Sequence, residues 1–93
     1  MGFYRFPEVT VAPRSAVSQS VKVMGEANEA FEAACEYSRH QSPADRAHAI
    51  EEGMDVIQAT ETYLRTLGVT EDELTAAMVG VIAKNERRNY YVH

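Results

Sequence analysis

The chain has 93 residues, 45% of them hydrophobic and 25% charged, and its 14 acidic against 9 basic side chains give a formal net charge of −5. That length allows one domain at most, and the acidic balance argues against a nucleic-acid-binding module, which carries a basic face. A domain this small buries only about 60 to 65% of its unfolded surface, so a helical version is expected to gain stability as a homo-oligomer.

Residues 1–14 contain Pro7 and Pro13 and show no helical period, which predicts an extended N-terminal arm. Phe3, Tyr4 and Phe6 give it enough apolar surface to pack on its own subunit or on a neighbour. The remainder, 15–93, reads as a single helical domain. A first helix is predicted from about Ser15 to Ser38, with Val17, Val21, Met24, Asn28, Phe31 and Cys35 recurring at three- and four-residue steps. That stripe is the expected core face, apart from Asn28. Glu26 and Glu29 fall roughly opposite it, beside Lys22 and Ala33 and flanked by Val23, Ala30 and Tyr37.

Arg39 to Gln41 is a connection. Ser42-Pro43-Ala44-Asp45 then supplies a capping serine, a proline in the first turn and an acid three residues after the cap, which starts a second helix running to Leu67 and ended by Gly68. Its main stripe is Ala47, Ile50, Met54, Ile57 and Leu64, broken by Glu61; on the opposite side Glu52 and Asp55 sit among Val56, Ala59 and Tyr63. Both helices are therefore two-faced, and a layered or oligomeric bundle buries both sides of each. Thr70 and Glu73 form a capping box for a third helix, whose stripe runs through Leu74, Ala77, Met78 and Val81. Carried forward, the stripe puts Lys84, Asn85 and Arg88 on the same inward side. The expected fold is all-α, with three main helices per chain in an oligomeric bundle.

The acids carry the chemistry. Gly25-Glu26-Ala27-Asn28-Glu29 and Glu51-Glu52-Gly53-Met54-Asp55 each set two carboxylates three residues apart on a helix, so packing the helices together would collect four negative charges that need a cation. Such pairs are also common on solvated faces. Here each is bordered by apolar side chains and sits opposite a core stripe, and Gly25 and Gly53, unfavourable by about 1 kcal/mol each inside a helix, suggest a tight approach by another group. Oxygen ligands of this kind suit Mg²⁺, with Mn²⁺ as a substitute, rather than zinc. His40 and His48 read as surface residues and His93 as terminal. Glu32, Glu36 and Glu51 neighbour the proposed ligands; their expected role is solvation, with assistance to a second metal as the alternative. Arg87 complements the C-terminal end of the third helix, whereas an inward Lys84 and Arg88 near a polycarboxylate site suit phosphate. Metal and phosphate-binding cations together suggest phosphoryl or nucleotidyl transfer.

Lys22-x-x-x-Glu26-x-x-Glu29, then Glu52-x-x-Asp55-Val56 with a Leu67-Gly68 helix end, then Lys84-Asn85-x-x-Arg88-x-Tyr90-Tyr91, resemble the all-α nucleoside triphosphate pyrophosphohydrolases of the MazG-like group, particularly the short phage-type members. The resemblance spans roughly Val17 to Tyr91 and departs at Asn89, where many members have glycine. It implies a helical bundle made by dimerisation, often with dimers paired into tetramers, and cleavage of a nucleoside triphosphate to the monophosphate and pyrophosphate in nucleotide-pool control. Glu26, Glu29, Glu52 and Asp55 would be the catalytic carboxylates and Mg²⁺ ligands. Lys84 and Arg88 would contact phosphate, with Lys22 in support, and Asn28 and Asn85 are candidates for base recognition or else satisfied amides.

Two rival expectations belong to other classes. One is a helical oligomerisation or adaptor module that keeps the bundle without turnover. The other is a helical DNA-binding regulator, suggested only by the Thr66 to Thr70 turn and opposed by the acidic charge. A lone Cys35 rules out an internal disulfide and points to a reducing compartment. The apolar runs are too short to span a bilayer, and Met1 to Thr10 lacks the character of a signal peptide, so the expected location is cytoplasmic, with no membrane or nucleic-acid partner.

Overall fold

A computed structural model describes residues 2–11 and 13–92, so the His93 terminus and residues 1 and 12 of the arm lie outside the described residues. The described secondary structure is all helical: α1 Ala16–His40, α2 Pro43–Thr66 and α3 Glu71–Arg87, with no strand among the described residues. Among the described residues no helix is long and apolar enough to cross a membrane.

Each helix starts where a side chain can satisfy its free backbone N–H groups. The Ser18 amide donates to Ser15 Oγ at 3.0 Å, and the Asp45 amide to Ser42 Oγ at 3.0 Å, with Pro43 in the first turn. At α3 the capping box is complete: the Glu73 amide donates to Thr70 Oγ1 at 3.1 Å and the Thr70 amide to Glu73 Oε1 at 2.7 Å. α2 stops where Gly68 takes a left-handed φ of +64°. α1 runs two residues past its expected end, because Gln41 itself adopts φ 52° and returns its N–H to Tyr37 O at 2.7 Å.

With only Gln41 and Ser42 between them, α1 and α2 fold back as an antiparallel hairpin. Which faces meet corrects the sequence reading. The stripe of Val17, Val21, Met24 and Phe31, expected as the core face, is exposed, as are Ile50 and Met54 of α2. The buried residues are instead Gln19 and Ala33 of α1 with Ala59, Glu61 and Thr62 of α2, and Val23, Glu26, Ala30, Glu52, Val56 and Tyr63 are half-buried beside them. The acidic faces therefore turn toward each other. Alanines at 30, 33 and 59 let the helices approach closely enough for Gln19 Nε2 to donate to Ala59 O at 3.0 Å, while the bulkier stripes stay outside. A Cβ added at Gly25 or Gly53 would meet nothing within 4 Å, so the tight approach expected at these glycines does not occur within the chain.

No Cα of α3 comes within 8 Å of α1 or α2. Its first turn is held by the arm: the Phe3 amide donates to Glu71 Oε2 at 2.7 Å, and Leu74 is buried nearby in sequence. Beyond that turn its apolar residues Met78, Val79, Val81 and Ile82 are exposed. The chain is correspondingly open. Its radius of gyration is 15.7 Å, against about 12 Å for a compact domain of this length.

The arm packs on its own chain, as its aromatic content predicts. The rings of Phe3 and Tyr4 meet edge to face with centroids 5.6 Å apart, and Tyr4 lies under the Arg65 guanidinium at 4.0 Å.

Candidate metal and phosphate site

The antiparallel hairpin brings Glu26 of α1 to Glu52 and Asp55 of α2, and one carboxylate oxygen from each lies within 4.8 Å of the others. The i, i+3 spacing of Glu52 and Asp55 turns both toward α1. Glu26 and Glu52 keep side-chain exposures of only 19% and 16%, whereas Asp55 faces solvent. Unit charges at this separation repel by roughly 3 kcal/mol per pair at an effective dielectric of 20, less where water reaches Asp55. Lys22 Nζ stands 3.7 Å from Glu26 Oε1 and offsets part of this charge. Three carboxylates and one ammonium leave two negative charges, the balance a divalent cation would meet. Glu52 Oε2 adds an independent sign: it is buried and has no hydrogen-bond partner among the described residues, while Oε1 lies 3.7 Å from His48 Nε2. Glu26, Glu52 and Asp55 are the residues that would hold such an ion. The donor set is all oxygen, which fits Mg²⁺ or Mn²⁺.

Glu29 does not join this trio. Successive i, i+3 positions differ by about 60° around a helix, and with Glu26 turned to α2, Glu29 is left exposed on an adjacent hollow that it shares with Glu52 and His48. Asn28 is exposed on the outward side of α1. Glu32, Glu36 and Glu51 are exposed, and Glu36 is taken up by Arg39 at 2.6 Å and His40 at 3.5 Å. His40 and His48 are both at the surface, as expected.

The inward placement expected for Lys84 and Arg88 is corrected: both are exposed, because beyond Leu74 the apolar side chains of α3 face solvent within the single chain. Asn85 is half-buried, and its carbonyl accepts the N–H groups of Arg88 at 3.1 Å and Tyr90 at 3.0 Å, closing the end of α3. Within one chain these three residues stand apart from the carboxylates.

A hollow of about 660 Å³ borders two members of the trio, lined by Lys22, Glu26 and Asp55 from the hairpin and by Val9, Val11 and Arg14 from the arm, while Glu52 lines the adjacent hollow with Glu29. The sequence left the arm's aromatic content as one signal that it could wall a base and sugar pocket; a second is Glu61, the acid that interrupts the apolar stripe of α2. That side chain is buried at 6% exposure and accepts the backbone N–H groups of Arg5 at 3.0 Å and Phe6 at 2.9 Å. One turn on, Arg65 Nη2 donates to Phe6 O at 3.0 Å. In comparisons with known proteins, no family model, no curated protein and no solved structure matches the chain.

Proposed function

We propose that this chain is a short MazG-like nucleoside triphosphate pyrophosphohydrolase, dependent on Mg²⁺, working as a dimer or a dimer of dimers in the cytoplasm to control nucleotide pools. The observation that carries the reading is the convergence of Glu26, Glu52 and Asp55, with a buried Glu52 oxygen left without a partner. Acids that served only to solvate the helices would turn outward and separate; Glu26 and Glu52 turn into the hairpin, and Asp55 gathers with them at its solvent edge.

Bound by the trio, Mg²⁺ would supply charge neutralisation on the triphosphate oxygens. The chain's own residues do the rest. An oxygen of the trio accepts a proton from the attacking water, whose oxygen bonds to the α-phosphorus as the bond to the β-phosphate's bridging oxygen breaks. The products are the monophosphate and pyrophosphate. Lys22 holds Glu26 in place and adds positive charge beside the phosphates. Glu29, on the adjacent hollow with Glu52, is available to orient the trio from outside.

The dimer is supported by what the single chain leaves open. Val17 at 74% and Phe31 at 66% exposure head an apolar face on α1, and α3 has a second such face. The accessible surface of 7137 Å² exceeds by roughly 1,700 Å² the value expected for a compact monomer of 10.4 kDa. Burying that excess on two chains falls within the range of obligate homodimers. In such a dimer α3 of one copy lies along the hairpin of the other, which is the route by which Lys84, Asn85 and Arg88 reach a triphosphate held at the opposite trio.

The test is direct. Purified protein is incubated with Mg²⁺ and a panel of ribo- and deoxynucleoside triphosphates, and the products are separated, with Glu52→Gln and Asp55→Asn alongside. The expected result is monophosphate plus pyrophosphate from the wild type, reduced at least 100-fold in both variants. Diphosphate plus phosphate would move the cleaved bond. No turnover with any triphosphate, despite Mg²⁺ binding that needs the same carboxylates, would favour the non-catalytic helical module.

A further inference from the structure

The cations available to a triphosphate in this hollow belong to two different parts of the chain. Lys22 is on α1 and already lies against Glu26. Arg14 comes from the arm, borders both the large hollow at Glu26 and Asp55 and a smaller one of about 300 Å³ beside Arg65, and makes no hydrogen bond or ion pair among the described residues. A guanidinium unpaired among the described residues at the edge of an acidic hollow can offer its fork of donors to a ligand anion.

The backbone on either side of Arg14 is held by contacts to the helices. Ser15, its neighbour, is the N-cap of α1. Upstream, Glu61 and Arg65 grip the backbone at Arg5 and Phe6 through the bonds described above, the Arg65 guanidinium stacks on Tyr4, and Arg65 Nε lies 3.9 Å from Glu8 Oε1. Val9 and Val11 follow directly and line the same hollow. A buried carboxylate that breaks an apolar stripe is unfavourable in the helix itself. Its bonds are all to the arm, so its effect is to hold the arm.

We propose that the arm is part of the substrate site: Arg14 contacts the phosphates of the Mg²⁺-bound nucleoside triphosphate, Val9 and Val11 form the apolar wall against its sugar and base, and Glu61 is a positioning residue that seats this wall without touching the ligand. The proposal rests on the pyrophosphohydrolase reading. It adds an intrachain source of phosphate-binding charge and makes substrate affinity depend on a contact to an arm outside the helical hairpin.

The experiment uses the full chain and a non-hydrolysable α,β-methylene deoxynucleoside triphosphate with Mg²⁺, followed by calorimetry, with Mg²⁺ alone as the reference titration. Arg14→Ala is expected to weaken analogue binding about tenfold or more and to raise KM by a similar factor, with kcat within about twofold and Mg²⁺ affinity unchanged; Arg14→Lys recovers part of the loss. Glu61→Gln keeps the side chain's length but removes its charge. It is expected to speed amide exchange at Arg5 and Phe6 and to raise KM in parallel, again without changing Mg²⁺ affinity. Analogue affinity unchanged in Arg14→Ala, an exposed position whose substitution leaves helicity intact, would overturn the proposal while leaving the enzyme reading standing. A wild type that binds Mg²⁺ but not the analogue would overturn both.

Discussion

Asn89 illustrates how a single residue can carry information that its neighbours do not. It closes α3 with φ 58°, a left-handed backbone that glycine adopts freely, that asparagine tolerates and that branched residues resist. Asn89→Gly is expected to leave the last turn of α3 as stable or slightly more so, and Asn89→Val to weaken it by about 1 to 2 kcal/mol, read as faster amide exchange at Arg88 and Tyr90. Equal exchange in the two variants would mean that the turn does not depend on this φ. Glu29 and Glu61 mark the opposite limit. Nothing local distinguishes Glu29 from Glu26, because only the angle at which α1 meets α2 decides which of the two acids faces inward. Glu61 looks like a defect in a stripe, because its partners are backbone amides 55 and 56 positions away.

Helix boundaries were legible to within about two residues, since capping serines and threonines, a first-turn proline and a left-handed glycine act on their immediate neighbours. Helix facing was not. α1 and α2 each carry two surfaces able to pack, and periodicity alone ranks the bulkier stripe as the core, whereas the small residues of the acidic face make the closer intrachain fit. The same reasoning separates α3 from the hairpin. Within the chain, α3 is held by its capping box and by the arm at Glu71, and none of its Cα atoms comes within 8 Å of α1 or α2. Thr70→Ala, which removes the box, should therefore weaken α3 alone by about 1 kcal/mol, lowering protection of its amides roughly fivefold while amides of α1 and α2 keep theirs. A loss spread evenly over the three helices would show that α3 opens together with the hairpin.

At the scale of the whole molecule, the exposed faces and the acidic site lead to one expectation. A chain with this surface excess should not persist as a monomer, and the residues that bind phosphate in the proposed reaction are divided between the hairpin and an α3 that does not reach it. Association and catalysis should therefore fail together. Sedimentation of the wild type is expected to give at least twice the chain mass of 10.4 kDa. Met24→Glu on the outward face of α1 and Val81→Glu on α3 each place a charge where the second copy would sit, an unfavourable burial of several kcal/mol, and should yield monomers. Neither residue belongs to the trio or lines the hollow beside it. Mg²⁺ binding by the trio should then survive in the monomers, weakened no more than a few fold, while triphosphate turnover drops by 100-fold or more as Lys84 and Arg88 are withdrawn. If the monomeric variants kept full turnover, the single chain would hold every group the reaction needs, and Lys22 and Arg14 would be its phosphate cations. If the wild type itself sedimented as a monomer at every concentration, the outward stripes would need another partner, and the adaptor reading would gain what the enzyme reading lost.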